Sequence, residues 1–323
     1  MSASPIPVSA ASLRTAPTSP TSLRQPPSDI WSHWLLHTRH GGDPAFDKIV
    51  RTGLETYAQR VVDGAQLAPG MRLVDIGSGD GLIAFHAIDR VGPDLRVVLT
   101  DISALLLRYS EALSAERGVR QQCSFMECPA DNLSAIPDAS VDAVTTRAVL
   151  AYVDDKVAAL REFYRILKPG GRLSLAEPIF YDDAVATCVL RNQMENGAQD
   201  RLSALLYRWK AAQFPDSPER MALSPITNFS ERRLFEWIRA CGFSQLHMEL
   251  HVDLYPSRIT SWETFLNTSP HPWAPTLSQL LAERFSAEER TTLEASLRAH
   301  VESGRAQCVD RTAYFTASKT GQG

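Results

Sequence analysis

Asp75, Gly77, Ser78, Gly79, Asp80 and Gly81 stand in one run, and Asp101 follows roughly twenty residues later at the end of an apolar stretch. Glycines at alternate positions let the backbone turn sharply and approach a ligand with no Cβ in the way. A carboxylate at the carboxyl end of a parallel strand lies where open α/β sheets place their ligands. There it can accept hydrogen bonds from both hydroxyls of a ribose. The chemistry these residues point to is the holding of a nucleotide-like cofactor.

The elements that must position them read plainly. Met71 to Ile76, with Leu73, Val74 and Ile76, suits a buried parallel strand. Asp80 can open the next helix, Leu82 to Asp89, near its positive end. A second strand, Leu95 to Thr100, delivers Asp101. A dinucleotide fingerprint would need G-x-G-x-x-G/A, with a small third residue for close helix packing. That position is Leu82, and the spacing is instead G-x-G-x-G with the acidic Asp75 inside the strand.

In this form the run resembles the first motif of the class I S-adenosylmethionine-dependent methyltransferases, and three later blocks extend the likeness. Ala130-Asp131-Asn132-Leu133 with Ile136-Pro137 resembles the segment after strand three. Val141 to Thr146 is a fourth strand running into Arg147-Ala148-Val149-Leu150-Ala151-Tyr152. Glu162 to Arg172 is a helix carrying Lys168 near its end, then a Pro169-Gly170-Gly171 turn before a strand from Leu173 to Ala176. The similarity covers roughly residues 45 to 180, continues through Phe243 to His251, and is greatest to the branch of quinone and small-molecule methyltransferases (methyltransferase type 11). The resemblance implies an α/β fold, a doubly wound Rossmann-like mostly parallel sheet with an antiparallel last strand, plus helical cap insertions. It implies S-adenosyl-L-methionine as cofactor, its methionine part near Asp75 and the glycines Gly77, Gly79 and Gly81, and its adenine amino group on Asp131. Ser78, Ile102, Ala130 and Arg147 complete the implied cofactor set, and the Arg147–Tyr152 loop meets both cofactor and acceptor.

Composition sets limits. A formal net charge of -4, with no basic run or aromatic-basic RNA pattern, argues against nucleic acid as the main partner. The five cysteines, Cys123, Cys128, Cys188, Cys241 and Cys308, are scattered and odd in number, which suits a reducing, cytoplasmic compartment. Cys123 and Cys128 read as core residues of an apolar strand, with a thiol function as the weaker alternative. No apolar run approaches the roughly 20 residues that cross a bilayer, so no membrane partner is expected.

Residues 1–28 are rich in serine and proline and hold no acidic residue. They read as a disordered tail, with a transit peptide as the alternative suggested by Arg14 and Arg24. Residues 29–66 read as an N-terminal helical lid. Trp31, Trp34 and Leu35 share one apolar face, while His37, Arg39 and His40 bring polar groups toward a cleft. His33, His37 and His40 lack a ligand that would complete a metal set, so no metal is expected. The remaining 67–323 form the cofactor-binding domain with two cap insertions. In 179–229, a helical stretch from Ala198 to Phe214 has Leu202, Leu205, Leu206 and Trp209 as one stripe, core or substrate wall. In 253–311, between strand six (Gln245 to Val252) and the last strand (Thr312 to Ala317), Ser286 and Glu289 match a capping box. These helices extend the cap or form a homodimer surface.

The expected reaction is methyl transfer to a small organic acceptor, an oxygen (hydroxyl or carboxylate) of a secondary metabolite first, and a carbon of a quinone-like molecule second. A hydroxyl or carbon acceptor needs a base, and the candidates are Glu177, Tyr152, Tyr181 and His37. Glu177 reads equally as a helix cap or a partner for Arg147. Arg147 reads as an anchor for a substrate anion or as half of a structural ion pair. An NAD-dependent oxidoreductase and a catalytically silent binding protein of the same fold are the alternatives.

Overall fold

The computed structural model describes residues 29–197 and 200–321. The expected tail at 1–28, and Ala198 at the head of the expected cap helix, lie outside them. Seven strands form one sheet in the order β3-β2-β1-β4-β5-β7-β6. They are β1 (Arg72–Ile76), β2 (Arg96–Asp101), β3 (Cys123–Glu127), β4 (Val141–Arg147), β5 (Leu167–Pro178), β6 (Phe243–Pro256) and β7 (Gln307–Lys319). The pairs among β1 to β5 are parallel, and β7 runs antiparallel to both β5 and β6. The chain order reverses between β1 and β4, the crevice where doubly wound sheets hold their ligands.

Twelve α-helices are described, α1 (Ile30–His33), α2 (Pro44–Ala65), α3 (Leu82–Val91), α4 (Ala104–Glu116), α5 (Lys156–Ile166), α6 (Tyr181–Glu195), α7 (Arg201–Ala211), α8 (Pro218–Leu223), α9 (Glu231–Ala240), α10 (Trp262–Asn267), α11 (Leu277–Arg284) and α12 (Ala287–Glu302). One face of the sheet is covered by α2, α3 and α4, through Ala58, Val61, Ile83, Ile88 and Leu107. The other is covered by α5 and α9, through Leu160, Phe163, Leu234 and Ile238. Strand residues with both faces covered must be apolar throughout, which is why β1 and β2 are buried after their first residue. Among the described residues no helix is long and apolar enough to cross a membrane.

Several expected boundaries move, each for a local reason. Lys168 is not in the helix: α5 stops at Ile166 and β5 begins at Leu167. Lys168 precedes Pro169, whose ring disfavours the helical region for the residue before it. Its ammonium instead meets Asp142 Oδ1 at 2.7 Å. Asp80 does not cap α3, because Gly81 takes that place with φ +84°. The lid is narrower than 29–66: α2 buries Leu54, Ala58, Val61, Val62 and Ala65 and belongs to the sheet layer. The second insertion is narrower than 253–311, since the β6–β7 ladder runs unbroken from His247↔Thr316 to Pro256↔Gln307. Within it Tyr255 donates its hydroxyl to Asp310 at 2.5 Å.

The two insertions form one cap. Leu205 of α7 packs with Trp262, Leu277, Leu280, Leu281, Phe285, Leu293 and Val301, and Leu202, Leu206 and Trp209 lean on the same cluster. The stripe on α7 is therefore core, with Trp209 also reaching a cavity wall. Ser286 and Glu289 do form the capping box at α12, and Thr276 and Gln279 form a second at α11. Leu293→Ala should cost about 2–5 kcal/mol. Amide exchange should accelerate in α7 and α10–α12 while β1–β5 stay protected, and uniform acceleration would contradict a separately packed cap.

Candidate active site

The cradle at the switch point is built from β1, β2 and the turn between β1 and α3. Gly77 and Gly79 hold φ of +61° and +56°, which L side chains rarely adopt. A Cβ on Gly77 would collide with the Val149 side chain, and one on Gly79 would press Leu35 Cδ2 at 3.1 Å. The Ser78 amide donates to Thr100 O at 2.8 Å, which ties the turn to β2. Asp101, 7% exposed, accepts from the Gly79 amide and the Ser103 amide, each at 2.9 Å and each on a different oxygen. One lone pair on each oxygen is left for a ligand's hydroxyl.

Asp75 is 1% exposed. Oδ1 accepts from Thr145 Oγ1 at 2.9 Å, while Oδ2 is buried without a partner, as is Ser78 Oγ. Burial pushes the carboxyl up to about 7, and the nearby Asp101 and Asp80 charges add to the rise. These orphaned oxygens and the glycine cradle fit a ligand that brings an ammonium group, such as that of an amino acid part. The cavity they enclose has a volume of about 320 Å³ and is lined by Asp75, Gly77, Ser78, Gly79, Asp101, Ile102, Ala130, Asp131 and Arg147. The sequence had named all nine. Gly81 is not a lining residue; it caps α3. The loop bearing Asp131 is pinned from below: Leu133 N donates to Glu162 at 2.7 Å, and Arg165 donates to the Leu133 and Ile136 carbonyls, each at 2.9 Å.

A strap closes this cavity. Asp29 caps α1 by accepting from Ser32 N at 2.8 Å, and its other oxygen accepts from Ser103 Oγ at 2.6 Å. After α1 the chain runs through one π-helical turn, Trp34–Thr38. Trp31 meets Tyr152 edge-on at 5.3 Å and Trp273 at 5.9 Å, and Tyr152 meets Trp273 at 5.5 Å. Trp34 Nε1 donates to Ser269 O at 3.1 Å. Strap, β4 loop and cap thus lock together through aromatic rings.

A second cavity of about 900 Å³ lies under the cap, with Phe46, Tyr57, Phe180, Trp209, Phe214 and Tyr314 among its walls. Trp34, Arg39, Leu54, Arg147, Ala148 and Tyr152 line both cavities. Arg39 stacks on Trp34 at 5.1 Å and Arg147 on Tyr57 at 5.0 Å, and among the described residues neither forms an ion pair. Burial lowers both guanidinium groups, that of Arg39 to about 10, and the nearby charge of Arg147 adds to the lowering of Arg39.

The expected bases are placed differently from one another. Glu177 is fully buried and opens on neither cavity. It accepts from the amides of Val149 and Leu150, each at 3.0 Å, and Ala151 at 3.1 Å, so the capping alternative is the one the geometry shows. It makes no ion pair with Arg147. His37 is exposed, 5.6 Å from His33, and lines neither cavity. The π turn carries it outward. Tyr152 lies on the shared wall, but burial raises its hydroxyl and keeps it protonated. Tyr181 is 41% exposed at the start of α6. The residues that sequence reasoning passed over, Leu54, Tyr57, Tyr255 and Tyr314, sit on α2 and the β6–β7 ribbon. The Asp43-Pro44 helix start was the one available signal for the first pair. Cys123 is core, as expected, and Cys128 lines the smaller cavity.

Two outcomes test the cradle. Asp101→Ala should weaken S-adenosylhomocysteine at least tenfold by calorimetry, with NAD failing to compete in wild type; unchanged affinity would remove its ribose role. Asp75 is partly protonated near pH 7, so a cationic ligand should expel its proton. Binding should then tighten from pH 6 to 8, and the heat should vary with buffer ionisation enthalpy, in wild type and not in Asp75→Asn. Equal buffer dependence in both would contradict the assignment.

Residues 74–175 match the methyltransferase domain family. The chain is 41% identical over 116 residues to the ubiquinone/menaquinone biosynthesis C-methyltransferase UbiE of Xanthomonas oryzae pv. oryzae, covering 36% of this chain and 46% of that protein. It is 36% identical over 131 residues to the nocamycin O-methyltransferase of Saccharothrix syringae, covering 40% and 46%. The chain thus spans about half the length of these curated relatives. In fold it is similar to the YcgJ protein of Bacillus subtilis, with a TM-score of 0.53 at 18% identity over 83% of this chain and 99% of that one. Sheet order, glycine cradle and matched segment together identify residues 74–175 as the core of a class I S-adenosylmethionine-dependent methyltransferase domain.

Proposed function

We propose that this protein transfers the methyl group of S-adenosylmethionine to an oxygen of a small organic acceptor held in the larger cavity. The observation that carries this reading is the common wall of Trp34, Arg39, Leu54, Arg147, Ala148 and Tyr152 between the two cavities. A ligand on each side of it would meet there. The cofactor supplies an activated methyl group when bound. The protein's own tasks are to orient both partners and to exclude water. The strap does the second: Trp31, Trp34 and Leu35 cover the smaller cavity.

The walls of the larger cavity support an aromatic acceptor with an acidic group. Flat rings favour a flat body. Arg39 and Arg147 are half-buried cations without carboxylate partners among the described residues, and a bound anion would offset the cost of their partial desolvation. Carbon methylation of a quinone-like acceptor is the second reading, favoured by the 41% identity to UbiE.

The test is to incubate the purified protein with methyl-labelled S-adenosylmethionine and a panel of hydroxylated aromatic acids, their amides and quinols, and to follow label by mass spectrometry. Label should enter hydroxylated acids, with the amides at least tenfold poorer and Arg147→Leu erasing that preference. Label confined to ring carbon would favour the second reading. Firm S-adenosylhomocysteine binding with no labelled product would contradict the proposal and leave a silent binding protein.

A further inference from the structure

His40 stands where the strap turns into α2 and lines the acceptor cavity. Its two ring nitrogens are in different states. Nδ1 lies 2.7 Å from Asp47 Oδ1, while Nε2 is buried with no protein partner. Asp47 sits in the first turn of α2, and its other oxygen accepts from Arg51 Nε at 2.7 Å. Arg51 reaches on to Asp80 Oδ2 at 3.3 Å, in the turn of the cofactor cradle. The ring is further held edge-on against Phe46 at 5.8 Å.

A carboxylate on Nδ1 fixes the proton there and leaves the Nε2 lone pair free. Burial holds the imidazolium below the ordinary histidine range, and the charges of Arg39 and Arg51 add to this against the opposing pull of Asp47. At neutral pH the ring is therefore uncharged and able to take a proton. His37, one of the four bases expected from the sequence, is exposed and lines neither cavity.

We infer that His40 is the general base of the reaction, oriented by Asp47, and that the acceptor atom is a hydroxyl oxygen. The inference rests on the acceptor lying in the larger cavity. The balance is simple: the acceptor O–H bond breaks with its proton passing to Nε2, an O–CH₃ bond forms, and the S–CH₃ bond breaks with its electron pair remaining on sulfur. Asp47 then faces an imidazolium, whose charge it stabilises until the proton leaves for solvent. A carboxylate acceptor would need no such base, so a His–Asp pair whose outer nitrogen is buried and unpartnered fits an alcohol or phenol.

The test uses the whole protein saturated with S-adenosylhomocysteine, with 4-nitrophenol as the hydroxyl probe. Nitrogen-proton correlation spectra taken before the probe is added should show His40 as the Nδ1–H tautomer, neutral at pH 7, and Asp47→Asn should redistribute the tautomers. Just below the pH at which free 4-nitrophenol ionises, the bound probe should show the visible band of its anion. His40→Gln should lower that band at least tenfold while leaving S-adenosylhomocysteine affinity unchanged by calorimetry. An Nε2–H or protonated ring, no anion band in wild type, or an equal band in His40→Gln would overturn the assignment. Failure of wild type to bind S-adenosylhomocysteine would instead sink the methyltransferase reading itself.

Discussion

The site depends on one buried carboxylate. Glu177, near the end of β5, accepts three successive amides from the loop that follows β4. A buried charge is tolerable only when its lone pairs are satisfied so. The same bonds force the chain into a tight bend: Ala148 takes φ +54°, and its amide is tied to Ala176 O at 2.8 Å. That conformation costs a non-glycine residue about 1–2 kcal/mol, against three hydrogen bonds worth about 0.5–1.5 kcal/mol each. The bend sets Arg147 and Tyr152 on the wall between the cavities and presses Val149 over Gly77. Glu177 is thus a positioning residue, and its effect on chemistry runs through the loop it holds.

From that wall the rest of the molecule closes inward. Tyr152 gives the strap and cap a shared ring to pack on, through Trp31 and Trp273. The cap can offer Trp273 and Ser269 only because its two insertions fuse around Leu205, Leu280 and Leu293. The strap in turn joins both cavities: Asp29 touches Ser103 beside the cradle, and His40 lines the larger cavity.

The cradle was legible in the sequence because its parts are local. Asp75, Gly77 and Gly79 share one stretch, Asp101 ends a strand whose apolar run announces it, and Asp131 lies in the turn that follows β3. The acceptor cavity was not legible, since Trp34 meets Ser269 and Asp29 meets Ser103 only in three dimensions. The strap shows the limit most sharply. Ordinary helical spacing correctly groups Trp31, Trp34 and Leu35, yet one π turn at Trp34–Thr38 shifts the register behind them. His37 then faces outward, while Arg39 and His40 reach cavity walls. Lys168 was a different kind of miss, because Pro169 beside it already excluded the helix.

The two cavities meet at one wall, and we propose that methyl transfer happens across it. The most direct test of this proposal is a crystal structure of the protein with S-adenosylhomocysteine. The ribose hydroxyls should lie on Asp101, the adenine at Asp131 and the sulfur facing the larger cavity beside Arg147 and Tyr152. A sulfur atom turned away from that wall, or a ligand bound outside the glycine cradle, would contradict it.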